Sequence, residues 1–84
     1  MTDTMVVEVG YALPNHQYLQ AVKVAQGATA TIAIEQSGVL KEYPEIDLTK
    51  NKVGVFGKAV KRDQYVLQPG DRVEIYRPLK KSTK

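Results

Sequence analysis

The sequence has 84 residues, a formal net charge of +3, no cysteine and a hydrophobic fraction of 43%. This length suits one small domain, and the hydrophobic fraction is too high for a disordered chain. The lack of Cys excludes disulfides, thiolate metal sites and a cysteine nucleophile. No apolar run approaches the ~18 residues of a membrane span, and the N-terminus lacks a secretory signal pattern. We therefore expect a soluble cytoplasmic protein.

The first part of the chain predicts a β-hairpin. Residues 5–11 (MVVEVGY) and 16–24 (HQYLQAVKV) show the period-two pattern of half-buried strands, and residues 13–15 (LPN) form the turn between them. One face is expected to meet the core through Met5, Val7, Val9, Tyr11, Tyr18, Val22 and Val24. The other face carries Val6, Glu8, Gly10, Leu19, Ala21 and Lys23.

A short helix is predicted after the hairpin. One helical stripe holds small or apolar side chains, namely Ala30, Ala33, Ile34 and Ser37. Thr29 is expected to act as the N-cap, with its hydroxyl accepting a hydrogen bond from a free N–H, and Gly38 to end the helix. A helix of about three turns is marginal alone, so packing must hold it. Burial of the Ile34 side chain should contribute roughly 1.5–3 kcal/mol.

The second part of the chain predicts a long loop and three strands. The loop covers residues 41–48, with one short helical turn near Leu48. The strands follow at residues 52–56, 58–60 and 72–77. In the last strand Val73 and Ile75 share one face, and the other face carries Arg72, Glu74 and Tyr76. Phe56, next to the Gly57 turn, either folds onto the edge of the core or stands partly exposed.

The predicted order is β-β-α-β-β-β, an α+β fold with a mixed sheet of four to five strands and one crossing helix, which is the β-grasp or ubiquitin-like arrangement. Five strings in combination also resemble the RnfH family of small bacterial proteins, which includes the RatB-type proteins. They are VGYALP at 9–14, GAT at 27–29, YPEIDL at 43–48, NKVGVFG at 51–57 and GDRVEIYRPL at 70–79.

The resemblance covers residues 5–79 and implies one β-grasp domain over 1–84, with 5–79 as its ordered part and 80–84 as a basic C-terminal tail. Members are similar to sulfur-carrier and ubiquitin-like proteins, and no settled activity attaches to them. Their contexts are a membrane electron-transport operon and a toxin–antitoxin-like pairing with a START-domain-type protein. The resemblance thus implies another protein as the partner and no cofactor.

Several chemistries are not expected. Sulfur carriers and ubiquitin-like modifiers react through a C-terminal Gly-Gly, whereas this sequence ends in KKSTK, so we expect no adenylation, thiocarboxylate or conjugation. A ferredoxin cluster needs four Cys ligands, which are absent. His16 has no second His or Cys for a metal site. Asp63 and Asp71 are expected to be solvated turn carboxylates, and neither Ser37 nor Ser82 has a candidate base nearby in the sequence. We therefore expect a non-enzyme.

The first candidate site is the open face, the side of the predicted sheet that faces away from the helix. Tyr and Arg are enriched at protein interfaces, and this face carries both. Ubiquitin has an apolar patch at the positions of Gly54, Glu74 and Tyr76, two of which are not apolar here, so ubiquitin-type readers should not bind. The expected partner-binding residues are Val6, Leu19, Ala21, Arg72, Glu74 and Tyr76. The alternative is an ordinary solvated sheet face.

The second candidate site is the basic edge, which consists of Lys58, Lys61, Arg62, Arg77, Lys80 and Lys81. Converging lysine and arginine side chains bind phosphates, so nucleic acid, RNA in particular, is the alternative partner. Acidic residues interleave with these positions, and no aromatic-rich base-stacking motif is present. The other interpretation is a solvated edge that prevents unwanted strand pairing.

Overall fold

A computed structural model describes residues 3–12 and 17–76. The strands are β1 (Thr4–Ala12), β2 (Gln17–Ala25), β3 (Val53–Val55), β4 (Lys58–Ala59) and β5 (Arg72–Ile75). The helices are α1 (Ala30–Ser37) and α2 (Val39–Glu42). The five strands form one sheet in the order β2-β1-β5-β3-β4, in which only the β1–β5 pair is parallel. The predicted mixed α+β sheet with a crossing helix is confirmed.

The hairpin strands β1 and β2 pair antiparallel, with Val7 opposite Val22. Their alternation is as predicted, because Met5, Val7 and Val9 are buried while Val6 is 52% exposed. Strand β2 runs one residue further than expected, to Ala25. The predicted turn at residues 13–15 and the predicted first residue of this strand, His16, lie outside the described residues.

Helix α1 packs against β1, β2 and β5 through its buried residues Ala30, Ala33 and Ile34. It has eight residues, so it is nearer two turns than the three predicted. Gly38 ends it with φ of 84°, as expected. A left-handed residue at this position is the common way to close a helix.

The predicted side-chain cap at Thr29 is wrong, because its hydroxyl makes no capping hydrogen bond. Backbone carbonyls from a distant segment accept hydrogen bonds from the first turn of α1 instead. The N–H of Ala30 donates to the Tyr65 oxygen and the N–H of Thr31 donates to the Arg62 oxygen, both at 3.1 Å. Free N–H groups in the first turn need an acceptor, and here the tertiary fold supplies it.

A second helix, α2, begins directly after Gly38, where the sequence predicts no helix. The Ser37 hydroxyl accepts from the Val39 N–H at 3.1 Å, and the Tyr43 N–H donates to the Val39 oxygen at 2.8 Å. Val39 is fully buried, so packing stabilises this single turn. The helical turn predicted near Leu48 is present as a turn, in which the Asn51 N–H donates to the Asp47 oxygen at 2.7 Å.

The second-half strands are shorter than predicted. Strand β3 ends at Val55, which leaves Phe56 in a turn, β4 ends at Ala59 and β5 ends at Ile75.

The expectation of a solvated Asp71 is wrong. Asp71 is only 8% exposed, and its carboxylate accepts from the Gln68 N–H at 2.9 Å. A buried carboxylate needs such a partner, so this residue closes the turn before β5.

Candidate functional site

The open face is built around β5, which lies between β1 and β3. In register, Glu8 lies opposite Arg72, and Gly10 lies opposite Glu74. Helix α1 belongs to the buried cluster on the other face. Strand alternation in β1, β2 and β5 places five of the six predicted partner-binding residues on this one face: Val6, Leu19, Ala21, Arg72 and Glu74. The sixth, Tyr76, follows the end of β5 and lies on the same face, because its hydroxyl donates to Glu74.

An ion pair crosses the centre of this face. Arg72 Nε lies 3.0 Å from Glu8 Oε1, and both side chains are 40% exposed. An exposed pair of this kind stabilises a fold by only about 0–1 kcal/mol. The pair therefore adds little to the stability of the sheet, and in this structure it joins the Arg72 and Glu8 side chains across adjacent strands.

Glu74 is the second fixed polar group on the open face. Its Oε1 accepts hydrogen bonds from the Tyr76 hydroxyl at 2.7 Å and from the Gly57 N–H at 3.2 Å. The hydrogen bond to Glu74, together with partial burial, raises the pKa of Tyr76 above its usual value of 10.0. The Tyr76 ring lies over Gly54, where a side chain would leave it no room.

The exposed apolar side chains of the open face are Val6 and Leu19, at 52% and 47% exposure. Leu19 leans over Gly10, and its Cδ1 would lie 3.4 Å from a Cβ at that position. Beside it is a depression of about 120 Å³ lined by Gly10, Ala12, Gln17, Glu74, Ile75 and Tyr76. The face thus offers two apolar side chains, a shallow recess and two fixed polar groups.

Phe56, which the sequence left undecided, stands out from the fold. It is 63% exposed and has φ of +51° in the turn between β3 and β4. A bulky residue at positive φ is an outlier that carries strain, about 1–2 kcal/mol by the usual penalty. The only signal in the sequence is the VFGK string, in which Gly57 marks the turn but gives no torsion angle for Phe56.

The basic edge is only partly described, because Arg77, Lys80 and Lys81 lie outside the described residues. Lys61 and Arg62 line one groove of about 430 Å³ together with Lys52, which the sequence interpretation missed. Its remaining lining residues are Leu48, Asn51, Val53, Ala59 and Val60. Lys58 is exposed on β4 and does not line this groove.

The guanidinium group of Arg62 is more constrained than that of an exposed arginine. Its Nη1 lies 3.1 Å from Asp63 Oδ2, and its Nε is buried without a hydrogen-bond partner among the described residues. Asp63 also accepts from the Thr31 hydroxyl at 2.6 Å, and this bond is the main cause that lowers the pKa of Asp63. Asp63 is exposed as predicted, but it ties α1 to the segment before β5.

The described residues show no group of three or more His, Cys, Asp or Glu that could hold a metal ion. The Ser37 hydroxyl donates to the Ile34 carbonyl at 2.7 Å, so it has a structural partner. His16 and Ser82 lie outside the described residues. No helix in residues 3–12 and 17–76 is both long enough and apolar enough to cross a membrane.

The sheet order with α1 across one face defines a ubiquitin-like β-grasp protein. A ubiquitin-like protein of Trypanosoma brucei superposes with a TM-score of 0.63 at 18% identity, over 98% of this chain and 100% of that chain. The family model described as RnfH family ubiquitin matches residues 5–84. Protein RnfH of Salmonella newport is 57% identical over 79 residues, which cover 94% of this chain and 81% of the relative. The chain therefore belongs to the RnfH family.

A second solved structure, with a higher identity than the trypanosome protein, shows the same similarity. A crystal structure of a domain-swapped dimer of a Haemophilus influenzae protein is 46% identical, with a TM-score of 0.58. The match covers 94% of this chain and 98% of that chain. The resemblance that the sequence strings predicted is thus confirmed at the level of the family.

Proposed function

We propose that this chain is a non-catalytic, cytoplasmic module that docks a partner protein through its open face. The observation that carries the proposal is that exposed Val6 and Leu19 share one face with polar side chains that already have partners. Arg72 pairs with Glu8, and Tyr76 donates to Glu74. Interfaces combine apolar anchors with Tyr and Arg, and side chains that are ordered beforehand lose less entropy on binding.

The non-catalytic part of the proposal rests on what the described site residues already do. The Tyr76 hydroxyl and the Glu74 carboxylate bond to each other, and Arg72 pairs with Glu8. These groups form a fixed surface, and the recess beside them, about 120 Å³, is smaller than the roughly 300–1,000 Å³ of ordinary small-molecule sites. The absence of Cys from the sequence suits a reducing compartment such as the cytoplasm.

The partner that the family resemblance suggests is a START-domain-type protein, in a toxin–antitoxin-like pairing. An electron-transport complex is the other context. Coexpression of this chain with the START-domain-type protein of the same organism tests the first pairing directly. A stable complex on gel filtration supports it, and two separate peaks at micromolar concentration count against it.

Substitution of Leu19 by Asp together with Tyr76 by Ala is expected to abolish partner capture by the tagged chain from nuclease-treated lysate of the source cell. The first change places a charge among apolar contacts, and the second removes a large contact side chain. The matched control is Val66→Asp, because Val66 is also 50% exposed but pairs with Thr29 beside α1. The control should retain capture through a high-salt wash.

Unchanged capture by the double variant, with loss in the Val66→Asp control, would place the interface on the helix side instead. Circular dichroism must first show that each variant is folded. The mass of each variant in solution is measured as well, because a relative forms a domain-swapped dimer and exchange of an element between copies would alter the exposed surface.

A second candidate function is RNA binding, favoured by the groove that Lys52, Lys61 and Arg62 line. Phosphate contacts release counterions, so affinity for a labelled single-stranded RNA should fall steeply with salt, with a log–log slope of about −2 for three contacts. Lys61→Glu should weaken binding, whereas Lys23→Glu on the open face should not. A flat salt response, or equal effects of both changes, would rule out this candidate.

A further inference from the structure

The tight turn between β3 and β4 contains Phe56, a residue type that is unfavourable in such a turn. Val55 pairs with Lys58, so Phe56 and Gly57 alone make the turn. Both have positive φ, at 51° and 84°, which is the pattern of a type I′ turn. This turn favours Asn-Gly or Asp-Gly, and Phe56 is the sole residue other than Gly with positive φ in residues 3–12 and 17–76.

Core packing does not explain the choice of Phe at this position. Phe56 is 63% exposed, more than Val6, Leu19, Ile32 or Val66, which are the other exposed large hydrophobic residues in the described part of the chain. The residue therefore satisfies neither the local turn preference nor the core. Strained residues persist mainly where function requires them, so this outlier points to a role outside the fold.

The turn that presents Phe56 is braced from two sides. The Gly57 N–H donates to Glu74 Oε1, the same oxygen that holds the Tyr76 hydroxyl. Val55, directly before Phe56, is buried at 5% exposure. The aromatic ring thus projects from a fixed turn, and a fixed aromatic side chain loses little entropy when it enters a pocket.

The surroundings of Phe56 indicate the charge of its partner. Lys58 follows the turn, is exposed, and forms no ion pair with any residue of the described ranges. The chain then continues into the groove lined by Lys61 and Arg62. The Glu74 carboxylate accepts from the turn and keeps its negative charge, because its two donors, the Gly57 N–H and the Tyr76 hydroxyl, are neutral. Lys58 is therefore the cation next to Phe56 that is left for a carboxylate of the partner.

We propose that Phe56 is an anchor that enters an apolar pocket on a partner protein, with carboxylates at the rim of that pocket facing Lys58. The proposal deepens the docking function and rests on it, because the turn is attached through Glu74 and Tyr76 to the open face. It adds an attachment point that the six open-face residues do not include. Charge complementarity at the rim speeds association and selects the partner.

The test places a photo-crosslinking residue, p-benzoylphenylalanine, at position 56 of the full chain in the source cell. Irradiation should give adducts to a protein, and mass spectrometry should locate them at an apolar segment with Asp or Glu close by. Lys58→Glu should lower the adduct yield about fivefold, since reversal of a rim charge slows association. The same probe at position 66 should not give these adducts.

A matched pair of variants tests the ring itself against the protein identified by crosslinking. Phe56→Asn introduces a residue that tolerates positive φ, so the fold should be retained with equal or higher thermal stability. Its affinity should fall at least about tenfold, as for an interface anchor. Phe56→Tyr keeps the ring and should bind within about twofold of the original chain.

Adducts only to lipid, only to a second copy of this chain, or to the same proteins as the position 66 probe would overturn the proposal. Unchanged affinity of Phe56→Asn would overturn it as well. A different result would contradict the docking function, namely normal binding of the Leu19→Asp and Tyr76→Ala double variant. Loss of binding in that double variant, with normal binding of Phe56→Asn, would support docking through the open face and exclude Phe56 as an anchor.

Discussion

Replacement of Ile34 by alanine is expected to lower the free energy of unfolding by about 2–5 kcal/mol. Ile34 has no exposed surface and belongs to the buried cluster that also contains Val7, Val9 and Val73. The strands beneath it are held by ladder hydrogen bonds and cannot collapse fully onto the space left behind. Small domains are stable by only about 5–15 kcal/mol, so this one change removes a large share.

Urea denaturation followed by far-ultraviolet circular dichroism measures this effect, since the chain has no Trp to report by fluorescence. The control is Glu35→Ala, the next residue on α1, which is exposed. A change there should stay within about 0.5 kcal/mol. A loss below about 1 kcal/mol for Ile34→Ala would mean that α1 does not pack on the sheet as described.

The strands could be predicted from sequence because their signal is local. Alternation in β1 and β5 places Val7 and Val73 in the core, and both are fully buried. The cap of α1 could not be predicted in this way. Thr29 has the right chemistry for a local cap, but the carbonyls of Arg62 and Tyr65 accept from N–H groups of the same first turn and belong to a segment about thirty residues away.

The same distinction applies to the candidate site. Period-two alternation is enough to place Leu19 and Tyr76 on one face of the sheet. It does not reveal that Glu74 bonds the Gly57 N–H, because this bond depends on how β3 and β5 are registered. The strained φ of Phe56 follows from the pairing of β3 with β4, which leaves two residues for the turn, so no local pattern predicts it.

Gly54→Ala is expected to destabilise the protein by about 1–3 kcal/mol, the usual range for overpacking. A Cβ at Gly54 would lie 2.5 Å from the Tyr76 hydroxyl oxygen and 2.9 Å from the Lys58 carbonyl oxygen. The tyrosine can swing away, but only by giving up its bond to Glu74. The carbonyl belongs to the β4 backbone, so relief there requires the edge hairpin to shift.

Gly10→Ala is the matched control, because Gly10 and Gly54 both lie opposite Glu74, one on each side of β5. A Cβ at Gly10 would meet its nearest neighbour, Leu19, at 3.4 Å, so this change should alter stability by less than about 1 kcal/mol. A second readout is the phenol of Tyr76, followed by absorbance against a Tyr76→Phe reference. Its raised pKa should fall toward the usual value in Gly54→Ala only, since that variant loses the Glu74 bond. Equal behaviour of the two variants would show that Tyr76 does not lie over Gly54.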